Sequence, residues 1–147
     1  MRIKRIGLDN LDTLIQWRME VLHEVFANSK NVDWQALEKE NREYYEREIP
    51  REGHIACMAE PQIGCGALCL YPEMPSPDNP SGQCAYLMNV YVRPEYRGKS
   101  YGRNIVEWLI AQARQRGITK IYLESSEYGK AMYQKLGFKE MKDYYKL

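Results

Sequence analysis

Between Tyr86 and Ala113 the chain has to pass from a strand straight into a helix, and that transition restricts its fold more than any other feature. Tyr86 to Val92 is β-rich and mostly apolar, which predicts an interior strand. Pro94 ends its pairing because proline has no N–H to give. Further on, Ile105, Val106, Leu109, Ile110 and Ala113 recur at three- and four-residue spacings, which predicts a helix with one buried face. The intervening R-P-E-Y-R-G-K-S-Y-G therefore leads into a helix N-terminus, where the first backbone N–H groups have no partner inside the helix. Gly98 and Gly102 let the main chain come close to a ligand there. Such an end suits anions, and Arg97, Lys99 and Arg103 add positive charge around it, so a phosphorylated ligand fits the pattern. The alternative is an ordinary strand-to-helix turn with a solvated basic rim.

The loop resembles the acetyl-CoA signature of the GNAT superfamily of N-acetyltransferases, which reads Arg or Gln, two residues, Gly, one residue, Gly or Ala. Arg97 and Gly102 match its ends, and Ser100 stands where the family's middle glycine usually is. The resemblance continues to Phe138. S-E-Y-G-K-A-M-Y-Q-K-L-G-F, starting at Ser126, is similar to the family's second signature, N-x-x-A-x-x-L-Y-x-x-x-G-F. Met132, Tyr133, Gly137 and Phe138 match it, while Ser126 and Gly129 replace its asparagine and alanine.

This resemblance implies an α/β fold of the α+β type: a mixed, mostly antiparallel central sheet with helices on both faces, formed by residues 1–147 as one domain. It also implies transfer of an acetyl group from acetyl-CoA to a primary amine of a small molecule or peptide, by direct attack in a ternary complex and without a metal. Carried over by position, the backbone of Val90, Tyr91 and Val92 pairs with the pantetheine arm. Arg97, Gly98, Lys99, Ser100, Tyr101 and Gly102 hold the pyrophosphate, and Arg103 and Ser126 belong to the same cofactor set.

Acetyl transfer needs a neutral amine, a held carbonyl and a route for discharging the leaving thiolate. A backbone N–H in the Asn89–Tyr91 stretch, freed where the strand splays from its neighbour, is expected to bond the carbonyl oxygen. Tyr133 is the candidate general acid, with packing against Phe138 as its structural alternative. Glu124, at a strand's end, is a candidate base, alongside the tyrosines of the second helix and a water chain. His23, inside the first helix, and His54, opening a strand, do not look placed for that task. The second reading is a non-catalytic acyl-CoA-binding module or sensor with the same fold, suggested by the departures at Ser100, Ser126 and Gly129.

A chain of 147 residues can bury a sufficient core without disulfides or metal. Its net charge of +1, with both signs interspersed, points to neither a nucleic-acid nor a membrane partner. The N-terminal M-R-I-K-R-I-G lacks the apolar core of a signal peptide and no apolar run reaches membrane-span length, so a cytoplasmic location is expected. No G-x-x-x-x-G-K-[ST] run occurs, which disfavours a nucleotide-hydrolysing P-loop protein. Cys57, Cys65, Cys69 and Cys84 lie in strand-like segments and read as small apolar residues. Cys65 and Cys69 would sit about 13 Å apart on one strand, too far to bridge.

Elsewhere, Ile3 and Ile6 mark a short strand at or near a sheet edge. Asn10 or Asp9 is expected to cap a helix whose apolar stripe runs from Leu11 to Phe26. Arg18 interrupts that stripe, so its stem should follow the apolar face with its head snorkelling or paired to a carboxylate, a structural role. Asp33 caps a second helix reaching about Glu48, whose thin inner stripe of tyrosine and polar residues makes Tyr44, Tyr45 and Glu48 candidates for acceptor contact; a mostly solvated helix is the alternative. Ile55–Ala59 and Ile63–Tyr71 read as an antiparallel pair, with Gly64 and Gly66 leaving one face bare for close approach. The proline-rich stretch from Tyr71 to Gly82 reads as a lid, a dimer contact or a long hairpin connection. Gly117 stops the central helix, Lys120–Leu123 forms a parallel strand, and Ser125 and Ser126 cap a last helix. The final K-E-M-K-D-Y-Y-K-L reads as a strand, or a strand with a bulge. A further strand found in many relatives has no counterpart here, which leaves an edge that a second subunit could cover in a homodimer.

Overall fold

The alternating and helical periodicities resolve, in a computed structural model covering residues 1–147, into a five-stranded sheet with helices on both faces. β1 (Arg2–Ile6), β2 (His54–Glu60), β3 (Gly64–Pro72) and β4 (Gln83–Val92) are successive antiparallel neighbours, and β5 (Lys120–Leu123) runs parallel to β4. Helices α1 (Leu11–Val25) and α2 (Trp34–Glu48) cover one face; α3 (Tyr101–Gln115) and the short α4 (Lys130–Lys135) cover the other. β1 is an edge strand, as its length and basic residues predict.

On the α3 face, Ile105, Val106, Leu109 and Ala113 are fully buried against Ile55, Leu68, Ala85 and Leu87. Gly66 makes that contact close: a Cβ there would lie 2.7 Å from Ile105 Cγ2 and 2.9 Å from Leu109 Cδ1. The bare face expected at Gly64 and Gly66 thus receives α3 and, at Gly64, the Tyr91 carbonyl. Gly117 ends the helix region at φ +73°, and Ile118 N–H returns to the Ala113 carbonyl at 3.0 Å.

The opposite face buries Ile6, Leu14, Ile15, Trp17, Val21, Tyr45, Ala56, Cys65 and Tyr91. His54 opens β2 inside this layer at 4 % exposure, with Nδ1 2.8 Å from the Tyr44 hydroxyl and its ring edge-on to Tyr44 and Tyr45. Burial, reinforced by the positive charge of Arg18, pushes the His54 pKa down to about 4.

Three local expectations differ. No side chain caps α1; a 3-10 turn at Leu8–Asn10 leads straight into it, whereas Asp33 Oδ1 does cap α2 by accepting from Ala36 N–H at 3.0 Å. Ser126 caps a 3-10 turn (Glu127–Gly129), so α4 begins only at Lys130. The C-terminal K-E-M-K-D-Y-Y-K-L forms no strand: Asp143 takes φ 61°, which breaks extended geometry, and all of these residues are exposed. The proline-rich connection is a hairpin loop closed on itself, with Glu73 N–H bonded to the Gly82 carbonyl and buried Asn79 donating to the Gln83 carbonyl.

Gly66→Val would force α3 off the sheet and should lower stability by about 1–3 kcal/mol, measured as a lower denaturant midpoint. The lowered pKa of His54 means that the unfolded chain takes up the proton first as pH falls. Unfolding free energy should therefore decline as pH drops from about 6.5 towards about 4. His54→Gln should flatten that part of the pH–stability profile.

Candidate active site

β4 is paired on both sides only through its first half. Its parallel pairing with β5 runs from Cys84 opposite Lys120 to Leu87 opposite Leu123, and beyond Leu87 only β3 remains beside it. At that point β4 carries a bulge. Cys65 faces Tyr91 but Ala67 faces Met88, so β4 holds an extra residue, and Asn89 sits there in the left-handed region at φ 58°. The bulge resets the alternation of side chains: Leu87, Val90 and Val92 all pack on the α3 side, while Tyr91 turns to Trp17 of α1, ring to ring at 6.3 Å.

The backbone follows the same logic. Arg93 gives its N–H to the Ile63 carbonyl on the β3 side, so by alternation Tyr91 also faces β3, while Val90 and Val92 turn their polar groups to the open edge. Of the stretch Val90, Tyr91 and Val92, the outer two therefore offer backbone partners. The Val92 carbonyl is already taken by Arg97 Nε at 2.7 Å.

The loop then runs through Gly98 at φ 77° and Ser100 at φ 64°, which reaches the left-handed geometry of a glycine, and no side chain caps α3. The first helical bond is Asn104 N–H to the Ser100 carbonyl. The N–H groups of Gly98, Lys99, Ser100, Tyr101, Gly102 and Arg103 consequently donate to nothing within the protein. The side chains are less uniformly available. Arg97 pairs with both Glu24 carboxylate oxygens at 2.9 Å, and Arg103 pairs with Glu107 at 3.0 Å, whereas Lys99 is exposed and forms no ion pair. Ser126 Oγ is engaged by Gly129 N–H at 3.3 Å.

Tyr133 stands on α4, partly buried, with its ring edge-on to Phe138 at 5.8 Å. Its hydroxyl has no hydrogen-bond partner within the protein, and burial raises its pKa, so it remains a protonated phenol. Glu124 lies just past the end of β5, close enough to Tyr86 to help burial push that phenol's pKa up. Tyr133, Glu124 and Tyr86 share the lining of a cavity of about 1000 Å³ that follows β5 beneath the C-terminal tail.

Tyr44, Tyr45 and Glu48 are not in that cavity, because α2 lies on the other face of the sheet. Tyr45 is core, at 3 % exposure. Tyr44 OH contacts both His54 and Cys69 Sγ (3.1 Å), and Cys69 in turn reaches Met88 Sδ at 3.4 Å, just before the bulge. Glu48 is flanked by Arg47 and Arg51. How Asn89 and Arg18 combine is not visible in the sequence, where they stand 71 residues apart. Arg18 is not paired to a carboxylate: Nε donates to Asn41 Oδ1 at 3.1 Å and Nη1 to Asn89 Oδ1 at 2.9 Å, joining α2 to the bulge. An asparagine, tolerant of positive φ, within an apolar strand was the available signal.

Known proteins resemble this chain in sequence and in fold. The profile described as the acetyltransferase (GNAT) family matches residues 15–138. A ribosomal protein bS18-alanine N-acetyltransferase from Haemophilus influenzae is 35% identical over 66 residues, covering 42% of this chain and 45% of that protein. A glucosamine 6-phosphate N-acetyltransferase from Trypanosoma brucei brucei is 31% identical over 77 residues, covering 52% and 50%. The matches thus span about half the length of these curated relatives. In fold, a predicted acetyltransferase with acetyl-CoA from Clostridium acetobutylicum superposes with a TM-score of 0.89 at 23% identity, over 99% of this chain and 94% of that one. On the match over residues 15–138, this chain belongs to the acetyltransferase (GNAT) family.

Proposed function

We propose that the protein transfers an acetyl group from acetyl-CoA to a primary amine of a small molecule or peptide, by direct attack within a ternary complex. The observation that carries this reading is the unpartnered row of N–H groups from Gly98 to Arg103, together with the open edge of β4 at Val92 and Val90 one short turn before it. A diphosphate suits the first part, and an amide-containing arm can pair with the second as an added strand. The acceptors named for the relatives, an alanine of a ribosomal protein and glucosamine 6-phosphate, both carry primary amines.

In this reading the Val90 N–H, on the open edge immediately after the bulge, stabilises the carbonyl oxygen as negative charge develops. The amine lone pair forms the new C–N bond, the C–S bond breaks, and the Tyr133 hydroxyl gives its proton to the departing thiolate sulfur. Glu124, directly or through water, takes the proton that the attacking nitrogen loses. Lys99 adds charge at the diphosphate, while Arg97 braces the loop through the Val92 carbonyl and Glu24. Tyr44 borders the acceptor side.

CoA should bind more tightly than pantetheine, which lacks the phosphates, and its affinity should fall with added salt. Lys99→Ala should weaken CoA binding by about 1–3 kcal/mol in calorimetry. Equal affinity for the two ligands would remove the diphosphate from this loop.

Tyr133→Phe keeps the ring and its packing on Phe138. It should lower kcat by ~10²–10⁴-fold where chemistry limits the rate, with the melting temperature and CoA affinity of the parent retained. A thiol-release assay over an amine panel reads this out. Unreduced turnover in the Phe variant would confine Tyr133 to packing, and CoA binding with no turnover of any amine by the parent would favour the acyl-CoA-binding module.

A further inference from the structure

The arginines that follow β4, Arg93 half-buried and Arg97 exposed, obey a rule that Arg18 breaks. Arg93 donates from Nε and Nη2 to the two carboxylate oxygens of Glu20, each at 2.9 Å, with its guanidinium 4.6 Å from the Trp17 ring centroid, and Arg97 Nη2 donates to both oxygens of Glu24. Glu48, the acidic residue at the end of α2, has Arg47 and Arg51 beside it. Arg18 has no carboxylate within ion-pairing distance. Its two hydrogen bonds go to neutral amide oxygens, those of Asn41 and Asn89, and Nη2 donates to nothing.

The nearest carboxylates, those of Glu20 and Glu48, are held by other arginines, Arg93 in the first case and Arg47 and Arg51 in the second. The groups that sense Arg18 are Tyr45, His54, Cys65 and Cys69, and burial keeps all of them neutral by raising the phenol and thiol pKa values and lowering that of the imidazole. A partly desolvated guanidinium among neutral groups retains most of its cost unless an anion joins it. The position matters as much as the charge. Asn89, which Arg18 touches, lies two residues beyond the last β4–β5 pair, on the α1/α2 face, and Met88 beside it in sequence and Asn41, the other partner of Arg18, are both partly open to solvent. The guanidinium is thus one side chain away from the gap in which the proposed acyl transfer would occur.

We infer that Arg18 is a specificity determinant for an acceptor that carries a carboxylate or a phosphate close to its amine, the anion docking on the free edge of the guanidinium. The two bonds to Asn41 and Asn89 fix the plane of the guanidinium, so the remaining donors are presented without further ordering. This inference rests on the acetyl-transfer reading above.

The test compares matched amines under acetyl-CoA saturation: alanine with alaninamide, and glucosamine 6-phosphate with glucosamine. The anionic member of at least one pair should show kcat/KM about 10- to 100-fold higher, the range of one charge-assisted hydrogen-bonding contact. Arg18→Gln should collapse that ratio towards one, mainly through KM for the anionic amine, and Arg18→Lys should restore part of it. A wild-type enzyme that uses both members of each pair equally would overturn the inference while leaving acetyl transfer intact. So would an Arg18→Gln variant that slows both members to the same extent, which is the signature of a clamp that only shapes the bulge. Failure of every amine to turn over would instead bring down the acetyl-transfer reading, and this inference with it.

Discussion

Helix α1 is lashed to the end of β4 by contacts that alternate in direction. Arg18 of α1 reaches Asn89, while Arg93 and Arg97 beyond the bulge reach back to Glu20 and Glu24 of the same helix. On α1, positions 18, 20 and 24 lie within two turns; on the other side, positions 89, 93 and 97 carry the chain from bulge to loop. Exposed ion pairs contribute little stability, typically ~0–1 kcal/mol, and the Arg97–Glu24 pair is of that kind. The value of the set lies in geometry. The apolar cores on both faces hold the sheet together, and the lashing fixes where β4 goes once β5 has left it.

That division explains how a strand can be both core and site. Up to Leu87, β4 is an interior strand with neighbours on both edges. Beyond it, side chains still pack on both faces, Val90 and Val92 toward α3 and Tyr91 toward Trp17, yet one edge of the backbone is unpaired. An unpaired edge inside a protein is ordinarily a cost. Here a second set of partnerless amides follows at Gly98–Arg103, after a turn in which Arg93, Tyr96 and Arg97 spend their N–H groups internally, so the open strand edge and the helix N-terminus stand as two donor groups joined by a fixed turn.

Local features of this arrangement were legible in the sequence because their causes are local. The strand-to-helix transition, the Asp33 cap and the Gly117 stop follow from side-chain period, capping chemistry and glycine geometry within a few residues, and the parallel direction of Lys120–Leu123 follows from the usual hand of a strand–helix–strand crossover. The features that escaped have distant causes. Asn89 looks like an interruption in an apolar strand until Arg18, 71 residues earlier, is seen to bond it. His54 looks like the polar start of a strand until α2 folds Tyr44 and Tyr45 around it. The C-terminal segment has strand-like composition, but composition does not reveal that Asp143 turns out of the extended region. In each case the deciding partner or angle lies outside any local window.

Ser100 shows why matching a signature residue by residue can understate a site. A serine in the left-handed region costs on the order of 1 kcal/mol relative to glycine, yet Ser100 adopts φ 64°. The geometry is imposed from both sides. Arg97 pins the start of the loop to the Val92 carbonyl, and Ile105, Val106 and Leu109, all fully buried, fix the helix that follows. Chain ends held that firmly leave the intervening residues one way to connect, whatever side chain stands in the middle. What the proposed diphosphate binding asks of this loop is a set of N–H vectors, and those depend on the anchors. The glycine of the signature lowers the cost of the turn, while the strand and helix on either side decide its shape.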